Sequence, residues 1–381
     1  MKRIAFCSLC IIFILLVILA ACYPGRMLRK WTPVEILPAS VNREMKHEML
    51  EIVGLWDANA DRDTMETILA NEGYSVLNTD ADYPSYLENP DGIRTFWKAA
   101  SSEGSAFQTV LHVREDGGFS QLCFYWEKNA GYFVRTTLNR DDRGAMYVES
   151  SEFRPLYDIE LTQSGNFYYQ IYPDDPHYIN YGVIRLERVD PVLYDLTQKY
   201  ISPVGYRMVN LFLCDWQENN WGELSFSDLF EYCYEMNTGS PLSWDNFSFQ
   251  HNPTRAKIPA QLFENTICPY FDISLTEFRN RCRFIETEDC YFWRPVHGND
   301  LTVWEYPVFD PQVVSYKENS EKTMILTVQV ASAEKKTDCL FRHEVTIRLL
   351  EENQFQYVAN RVTYVGEWGI PYSESRFSLD E

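Results

Sequence analysis

Residues 106–126 read AFQTVLHVREDGGFSQLCFYW, and this stretch decides the fold class. Up to residue 113 the side chains alternate, with one set at Phe107, Thr109, Leu111 and Val113. A period of two residues predicts a β-strand. Asp116-Gly117-Gly118 then predicts a turn into a second run, Phe119 to Trp126. The connection is too short for a crossover helix, so we expect an antiparallel hairpin.

Further short runs of aromatic and β-branched residues follow the hairpin. Turns rich in Gly, Asn, Asp and Pro separate them, which again excludes crossover helices. The runs are Tyr132 to Leu138, Leu156 to Thr162, Phe167 to Tyr172 and Tyr181 to Glu187. They predict an antiparallel meander rather than a parallel α/β sheet. Before it, Asp61 to Gly73 has the spacing and the acidic start of a helix.

The C-terminal half predicts helices first and strands last. Helices are expected from Asp190-Pro191 to about Ile201, from Ser225 or Ser227 to Met236, from Ala260 to Cys268, and from the Ser274-x-x-Glu277 capping box to about Phe284. Alternating residues at 324–330 and 341–349, with a partner strand at 355–365, predict a sheet of three or four strands. The predicted class is α+β: an N-terminal antiparallel meander with flanking helices, then a smaller C-terminal domain of helices followed by an antiparallel sheet.

The first residues predict export and lipidation. Lys2 and Arg3 precede an uncharged apolar run, and Leu19-Ala20-Ala21-Cys22 has the form of a lipobox. The peptidase that cuts before the cysteine requires small side chains, and the thiol accepts a diacylglyceryl group. Two acyl chains anchor a protein stably. We therefore expect a lipoprotein held by Cys22 on the extracytoplasmic face of the cell membrane. An uncleaved transmembrane helix is the alternative, although the run is barely long enough.

The mature chain of about 360 residues exceeds what one core usually organises. We expect a signal peptide at 1–21, a lipid-anchored tether rich in proline at 22–46, an N-terminal α+β domain at 47–240 and a C-terminal α+β domain at 241–381. The boundary is placed where residues 237–256 show no clear period and several turn formers.

The composition argues against nucleic acid as a partner. Loss of Lys2 and Arg3 leaves 32 basic against 55 acidic residues, a formal charge of −23. Neutralising phosphates requires clustered cations, which this chain lacks. Aromatic residues make up 15% of the chain. Tyr and Trp line some sugar-binding faces, but they also pack the cores of sheets.

Cysteine and histidine spacing gives no sign of a metal or another cofactor. The seven cysteines after Cys22 include no C-x-x-C pair, and the six histidines are scattered, with His47-Glu48 the nearest approach to a zinc motif. Buried free thiols are expected, with a Cys282–Cys290 disulfide as the alternative. Residues 57–63 place Asp and Asn at the spacing of a calcium loop. They lack its glycine and its final glutamate, and a helix cap is the better interpretation.

The segment from Asp215 to Glu223 is the candidate ligand loop. Trp216 and Trp221 supply indoles on which a sugar can stack, and Asp215 and Glu223 supply carboxylates. A structural loop is the first interpretation, ligand contact by these four residues the second. Catalysis by the two carboxylates needs a separation that a sequence does not reveal.

The chain resembles a family of uncharacterised lipoproteins of Gram-positive gut anaerobes. The resemblance rests on Pro203-Val204-Gly205-Tyr206, Leu224-x-Phe226-x-Asp228-Leu229-Phe230, Ile258-Pro259-x-x-x-Phe263-Glu264 and His343-Glu344-Val345 with Phe355-Gln356-Tyr357-Val358. It covers most of the mature chain and implies a shared fold and export. It implies no activity, no cofactor and no catalytic residue. The leading hypothesis is a non-enzymatic protein that binds a protein or a glycan of the cell envelope; the alternative is a glycan-acting hydrolase that uses the 215–223 loop.

Overall fold

The computed structural model describes most of the chain after residue 31 and divides it into two compact units, before and after the Val189–Asp190 bond. No helix within the described ranges is long and apolar enough to span a bilayer. The described residues are 32–57, 59–79, 83–102, 104–128, 130–141, 146–172, 180–242, 256–294, 309–319, 322–351 and 354–371.

Among the described residues, the N-terminal unit combines three helices with one eight-stranded sheet. The helices are α1 (Ala39–Leu55), α2 (Arg62–Asn71) and α3 (Asp91–Ser101). The strands are β1 (Val76–Asn78), β2 (Tyr86–Glu88), β3 (Ala106–Val113), β4 (Phe119–Glu127), β5 (Ala130–Arg140), β6 (Met146–Leu161), β7 (Asn166–Ile171) and β8 (Asn180–Arg185). Their order in the sheet is β2-β1-β3-β4-β5-β6-β7-β8.

The predicted hairpin is confirmed as β3 and β4, whose register runs from Ala106 opposite Trp126 to Val113 opposite Phe119. Every later pair in this sheet is antiparallel, as the short turns require. One pair departs from the predicted meander. Strand β1 lies parallel to β3, because helix α3 and β2 intervene in the chain and allow a crossover.

Both faces of this sheet are covered by apolar side chains. On one face Met45, Met49 and Ile52 of α1 are fully buried against sheet residues that include Val134. Their spacing of four and three residues places them on one side of the helix. On the other face Phe96 of α3 packs with sheet residues that include Phe124 and Phe167. The strands therefore carry apolar residues on both sides.

The tether was predicted to extend to residue 46, but helix α1 shows that it ends earlier in the chain. The helix begins at Ala39, and the segment before it is already fixed. Asn42 is 7% exposed; its Oδ1 accepts from Val34 N at 2.8 Å, and its Nδ2 donates to the carbonyl oxygens of Val34 and Leu37. Sequence periodicity missed the helix because prolines precede it and charged residues interrupt its apolar face.

The C-terminal unit contains helices around two small sheets. Its helices are α4 (Pro191–Tyr200), α5 (Phe230–Thr238), α6 (Ala260–Ile267) and α7 (Leu275–Arg281), with 3-10 turns at Phe226–Leu229 and Cys268–Tyr270. Its strands are β9 (Trp216–Gln217), β10 (Ala256–Pro259), β11 (Phe284–Ile285), β12 (Cys290–Trp293), β13 (Phe309–Glu318), β14 (Thr323–Ser332), β15 (Thr337–Leu349) and β16 (Phe355–Val365).

The predicted helix caps of this unit are confirmed, and its closing sheet is larger than predicted. Asp190 caps α4 by accepting from the backbone N–H groups of Val192 and Leu193, and Ser274 accepts from Glu277 N at the start of α7. The five-stranded sheet has the order β13-β14-β15-β16-β9. Strand β9 was missed because a two-residue strand has no period of its own.

The unit boundary lies between Val189 and Asp190, whereas the sequence predicted it at 240/241. The helices after Asp190 share one core with the closing sheet. Thr197 Oγ1 accepts from Val313 N at 2.8 Å, and Tyr357 donates its hydroxyl to Tyr200 O at 2.8 Å. A cut at residue 240 would divide this core, which includes Phe230 and Leu326.

Replacement of Asn42 tests the fixed start of α1. Asn42→Ala should lower the free energy of unfolding by about 1–3 kcal/mol, because it leaves a buried N–H and several carbonyl groups without their partner. Asn42→Asp should cost at least as much, since it brings a carboxylate to those carbonyls. Urea denaturation measures both. Arg43→Ala, at an exposed position of the same helix, is the control. Equal stability of Asn42→Ala and Arg43→Ala would mean that the segment is not held by Asn42.

Candidate functional site

The candidate ligand loop, residues 215–223, is fastened to the edge of the closing sheet. Its residues Trp216 and Gln217 form β9 and pair with β16. Asn210 closes the base of the loop by donating to Glu223 O at 2.7 Å and accepting from Ser225 N at 3.0 Å. Gly222 has φ +53, and a Cβ there would lie 2.8 Å from Asp215 O. The loop thus has one tight conformation, which requires glycine.

Both indoles of this loop point into the core. Trp221 is fully buried and Trp216 is 4% exposed. The two rings stack with centroids 5.7 Å apart, and Trp216 Nε1 donates to Leu211 O at 2.7 Å. A sugar stacks on a ring face that solvent can reach. Trp216 and Trp221 therefore present no face to a ligand and are structural residues of the core; ligand contact was the second interpretation of this loop, after a structural one.

The carboxylates of the loop also have local roles. Asp215 is exposed and accepts from Val362 N at 2.7 Å, which ties the loop to β16. Glu218 forms a bidentate ion pair with Arg348, with both N–O distances 2.7 Å. Glu223 is exposed. Asp215 and Glu223, the carboxylates of the hydrolase alternative, thus lose the aromatic platform that motivated a sugar site.

Of the remaining predicted sites, the lipidation residue Cys22 lies outside the described residues. The others have structural roles. Asp61 caps α2 by accepting from Thr64 N at 2.9 Å, as the helix-cap interpretation of the acidic cluster requires. His47 is exposed, whereas Glu48 is turned toward the sheet and accepts from Thr109 Oγ1 at 2.5 Å. No group of three or more metal-binding side chains occurs in the described part of the chain.

The seven cysteines after Cys22 are all free thiols, including Cys282 and Cys290. Burial raises the pKa of Cys268 to about 11. Burial, and then the carboxylates of Glu223 and Asp215, raise the pKa of Cys214 to about 12. Only a thiolate is a strong nucleophile. These thiols stay protonated at neutral pH and pack as small apolar groups.

A cleft of about 760 Å³ opens in the C-terminal unit, and we call it the tyrosine cleft. The end of α4, helix α5, the Cys268–Tyr270 turn and the start of β16 form it. Its wall includes Tyr232, Tyr270 and Phe355, with Lys199 and Glu235 also exposed along it. The volume is within the range of pockets that bury small ligands, about 300–1,000 Å³.

Hydrogen bonds fix the walls of the tyrosine cleft. Tyr270 donates its hydroxyl to Asn237 Oδ1 at 2.9 Å, and Asn237 Nδ2 donates to Thr266 O at 3.1 Å. Tyr232 donates its hydroxyl to Arg207 O at 2.7 Å. Burial raises the pKa of Tyr270 to about 12, so its phenol is neutral at physiological pH. The cleft therefore offers half-buried aromatic rings in fixed positions together with neutral polar groups.

Sequence reasoning missed the tyrosine cleft because its residues come from four separate segments. Tyr232 and Asn237 lie on α5, Tyr270 ends a 3-10 turn and Phe355 begins a strand. No local spacing links them. The only available signal was the high aromatic content, which does not distinguish a cleft wall from a core.

Residues 51–376 match the model of a family of unknown function, DUF6070. The chain belongs to this family. The match includes residues of both units. No curated protein and no solved structure matches the chain. Membership of the DUF6070 family therefore assigns no activity to this site.

One further polar group of this DUF6070 chain is the buried His343. Its Nδ1 and Nε2 lie 2.7 Å from Asn360 Oδ1 and from the Tyr206 hydroxyl. Asn360 Nδ2 donates to Cys214 O, so Oδ1 is the acceptor for Nδ1–H, and Nε2 accepts from Tyr206. Phe212 stacks on the imidazole at 5.2 Å. His343 is fully buried in the core, where no substrate reaches it, and its role is structural.

The pH dependence of stability tests this role. Burial lowers the pKa of His343 to about 3, below its ordinary value near 6.5. As pH falls below the higher value, the unfolded state gains a proton that the folded state does not take up. The contribution of neutral His343 to the free energy of unfolding is therefore fully present above pH 6.5. It is lost on acidification, by about 2 kcal/mol between pH 8 and pH 5.

His343→Phe should remove this contribution to the pH dependence, although it lowers stability at pH 8 by leaving Tyr206 and Asn360 without their partner. Urea denaturation at several pH values measures the difference. His47→Asn changes an exposed histidine and should leave the wild-type profile intact. A His343→Phe profile parallel to that of the wild type would show that His343 is not held neutral by the fold.

Proposed function

We propose that this chain is a lipid-anchored, extracytoplasmic protein that binds a glycan of the cell envelope in the tyrosine cleft. The observation that carries the proposal is the combination, in one cleft of about 760 Å³, of fixed aromatic rings and neutral hydrogen-bonding groups. Sugars present apolar ring faces and hydroxyl groups. Aromatic side chains contact the former, while amides and phenols bind the latter.

The chemistry of the cleft supports binding rather than proton transfer. A general acid or base works best with a pKa near the working pH. Burial instead moves the pKa of Tyr270 away from neutrality, to about 12. The hydroxyls of Tyr270 and Tyr232 are already engaged with Asn237 and Arg207 O. These groups position the rings, which is what a preorganised binding site requires.

The lipobox supports the location, and α1 limits how far the N-terminal unit stands from the membrane. Because Val34 is already bound to Asn42, the tether is at most residues 22–33. A fully extended segment of that length reaches about 40 Å. The acidic chain would be repelled by an anionic bilayer, which favours ligands in the envelope rather than lipid headgroups.

Substitution of Tyr270 tests the cleft. The mature chain (residues 22–381) is tested on a glycan array, and each glycan that binds is titrated by calorimetry. Tyr270→Ala should weaken binding about tenfold, since an aromatic contact contributes about 1 kcal/mol and Asn237 also loses its hydroxyl partner. Tyr270→Phe keeps the ring and should have a smaller effect. Tyr316→Ala, an exposed tyrosine on β13, is the control. Absence of glycan binding, or a Tyr270→Ala variant that binds as the wild type does, would contradict the proposal.

Substitution of Cys22 tests the anchor. Cys22→Ala should release or mislocalise the protein without changing its fold, because it removes the sulfur that carries the lipid. Cell fractionation and circular dichroism of the released protein measure this. Cys7→Ala and Cys10→Ala remove thiols from the same leader and should leave localisation unchanged. Continued membrane retention of Cys22→Ala would favour the transmembrane interpretation instead.

A further inference from the structure

The N-terminal unit has a pocket of its own, of about 300 Å³, on the sheet face that α3 partly covers. Strands β5, β6, β7 and β8 contribute to it. We call it the arginine pocket; its lining residues are Phe133, Arg135, Glu152, Arg154, Tyr169, Ile171 and Tyr181. Nothing in the tyrosine cleft depends on it, because the two sites belong to different units.

The floor of the arginine pocket is the half-buried ring of Tyr169, which is held in place by the buried Phe133. The rings of Phe133 and Tyr169 stack with centroids 5.7 Å apart and planes 21° from parallel. Tyr169 lies across β8 at Gly182, where an added Cβ would come within 2.1 Å of its Cζ. Any other residue at position 182 would displace the ring. The glycine therefore allows the tyrosine to lie flat and complete the floor.

The rim carries charges of both signs. Arg135 and Glu152 are register partners on β5 and β6, and Arg154 is the register partner of Phe133 on the same face. Residues directly opposite in an antiparallel pair have Cβ atoms about 5 Å apart. The guanidinium of Arg135 lies 6.0 Å from the Phe133 centroid, and within the described ranges neither Arg135 nor Glu152 has an ion pair. In so acidic a chain, an arginine that faces a pocket without such a pair is available to an external anion.

These charges define the chemistry of a ligand. A guanidinium binds a carboxylate through a planar fork of N–H donors, and a second guanidinium nearby strengthens the attraction. A carboxylate beside them binds an ammonium group. The aromatic floor packs against an apolar side chain. The volume is at the lower limit for ligand pockets, which suits a molecule of one residue rather than a polymer.

We infer that the arginine pocket binds a free amino acid with an apolar side chain. The carboxylate of the ligand contacts Arg135, its ammonium group contacts Glu152, and its side chain lies on Tyr169. Recognition depends on both charges of the zwitterion together. A simple carboxylate leaves Glu152 without a partner and close to a second negative charge, and an amine leaves Arg135 without an anion.

Titration calorimetry of the mature chain tests this inference. Apolar L- and D-amino acids are screened at millimolar concentration, with phenylalanine, 3-phenylpropionate, phenethylamine and glycine as the diagnostic set. We expect an apolar amino acid such as phenylalanine to bind. 3-Phenylpropionate lacks the amine, phenethylamine lacks the carboxylate and glycine lacks the side chain; each should bind at least tenfold more weakly.

Variants at two positions and a control locate the binding. Arg135→Gln should weaken phenylalanine binding at least tenfold, and Arg135→Lys less, because charge is kept and the fork is lost. Glu152→Gln should abolish the preference for phenylalanine over 3-phenylpropionate. Arg114→Gln, an arginine of the same unit paired with Asp116 and Glu149, should have no effect. Circular dichroism verifies that each variant is folded.

Three results would overturn the inference. One is the absence of binding by every apolar amino acid in the screen. Another is equal affinity of the wild type for phenylalanine and 3-phenylpropionate, which would indicate a pocket for simple anions. The third is a Glu152→Gln variant with unchanged selectivity. Loss of glycan binding in the Tyr270 variants bears only on the tyrosine cleft, so the two proposals fail independently.

Discussion

Aromatic packing around Trp221 organises the C-terminal unit. This indole is fully buried, stacks on Trp216 and meets Phe226 and Phe271 edge-on, with centroids 5.3 and 6.1 Å away. Burial of each such ring contributes roughly 1.5–3 kcal/mol or more. Because Trp216 also belongs to β9, the same contacts hold the 215–223 loop against β16. A segment that precedes β16 by more than a hundred residues thereby becomes part of the core of the closing sheet.

This constraint also determines where function can lie. Tryptophan side chains that are buried in a core cannot contact a ligand, whereas tyrosines farther along the same unit lie at the surface of a cleft. The N-terminal unit differs, since apolar side chains cover both faces of its sheet. In its arginine pocket, Arg135 and Glu152 lie beside the ring of Tyr169. The tyrosine cleft thus combines aromatic rings and neutral groups with two charged side chains, whereas charges of both signs line the arginine pocket.

The sequence predicted the elements whose signals are local. Alternation gave the β3–β4 hairpin and the strands from β14 to β16, and capping residues such as Asp190 and Ser274 gave helix starts. It missed α1, whose apolar stripe is interrupted by charged residues, and it placed the unit boundary too late. Turn formers mark a break in local structure. They do not reveal which side chains share a core, and that depends on contacts such as Tyr357 to Tyr200.

The candidate site was harder to predict for the same reason. A tryptophan-rich loop with carboxylates has the composition of a sugar site and of a buried loop alike, and only burial separates them. The residues of the tyrosine cleft and the arginine pocket are brought together by tertiary contacts. The chemistry of single residues was nevertheless informative, since Asp61 acts as a helix cap and the seven thiols are free, as their surroundings suggested.

Residues 190–238 belong to the C-terminal core, and the unfolding of two fragments tests this directly. Residues 190–381 should unfold cooperatively in urea, and Trp221→Ala should lower their free energy of unfolding by about 3–5 kcal/mol. Residues 241–381 should not fold cooperatively, because half of their core is missing. A cooperative transition in the shorter fragment, with no gain in stability for the longer one, would contradict the account.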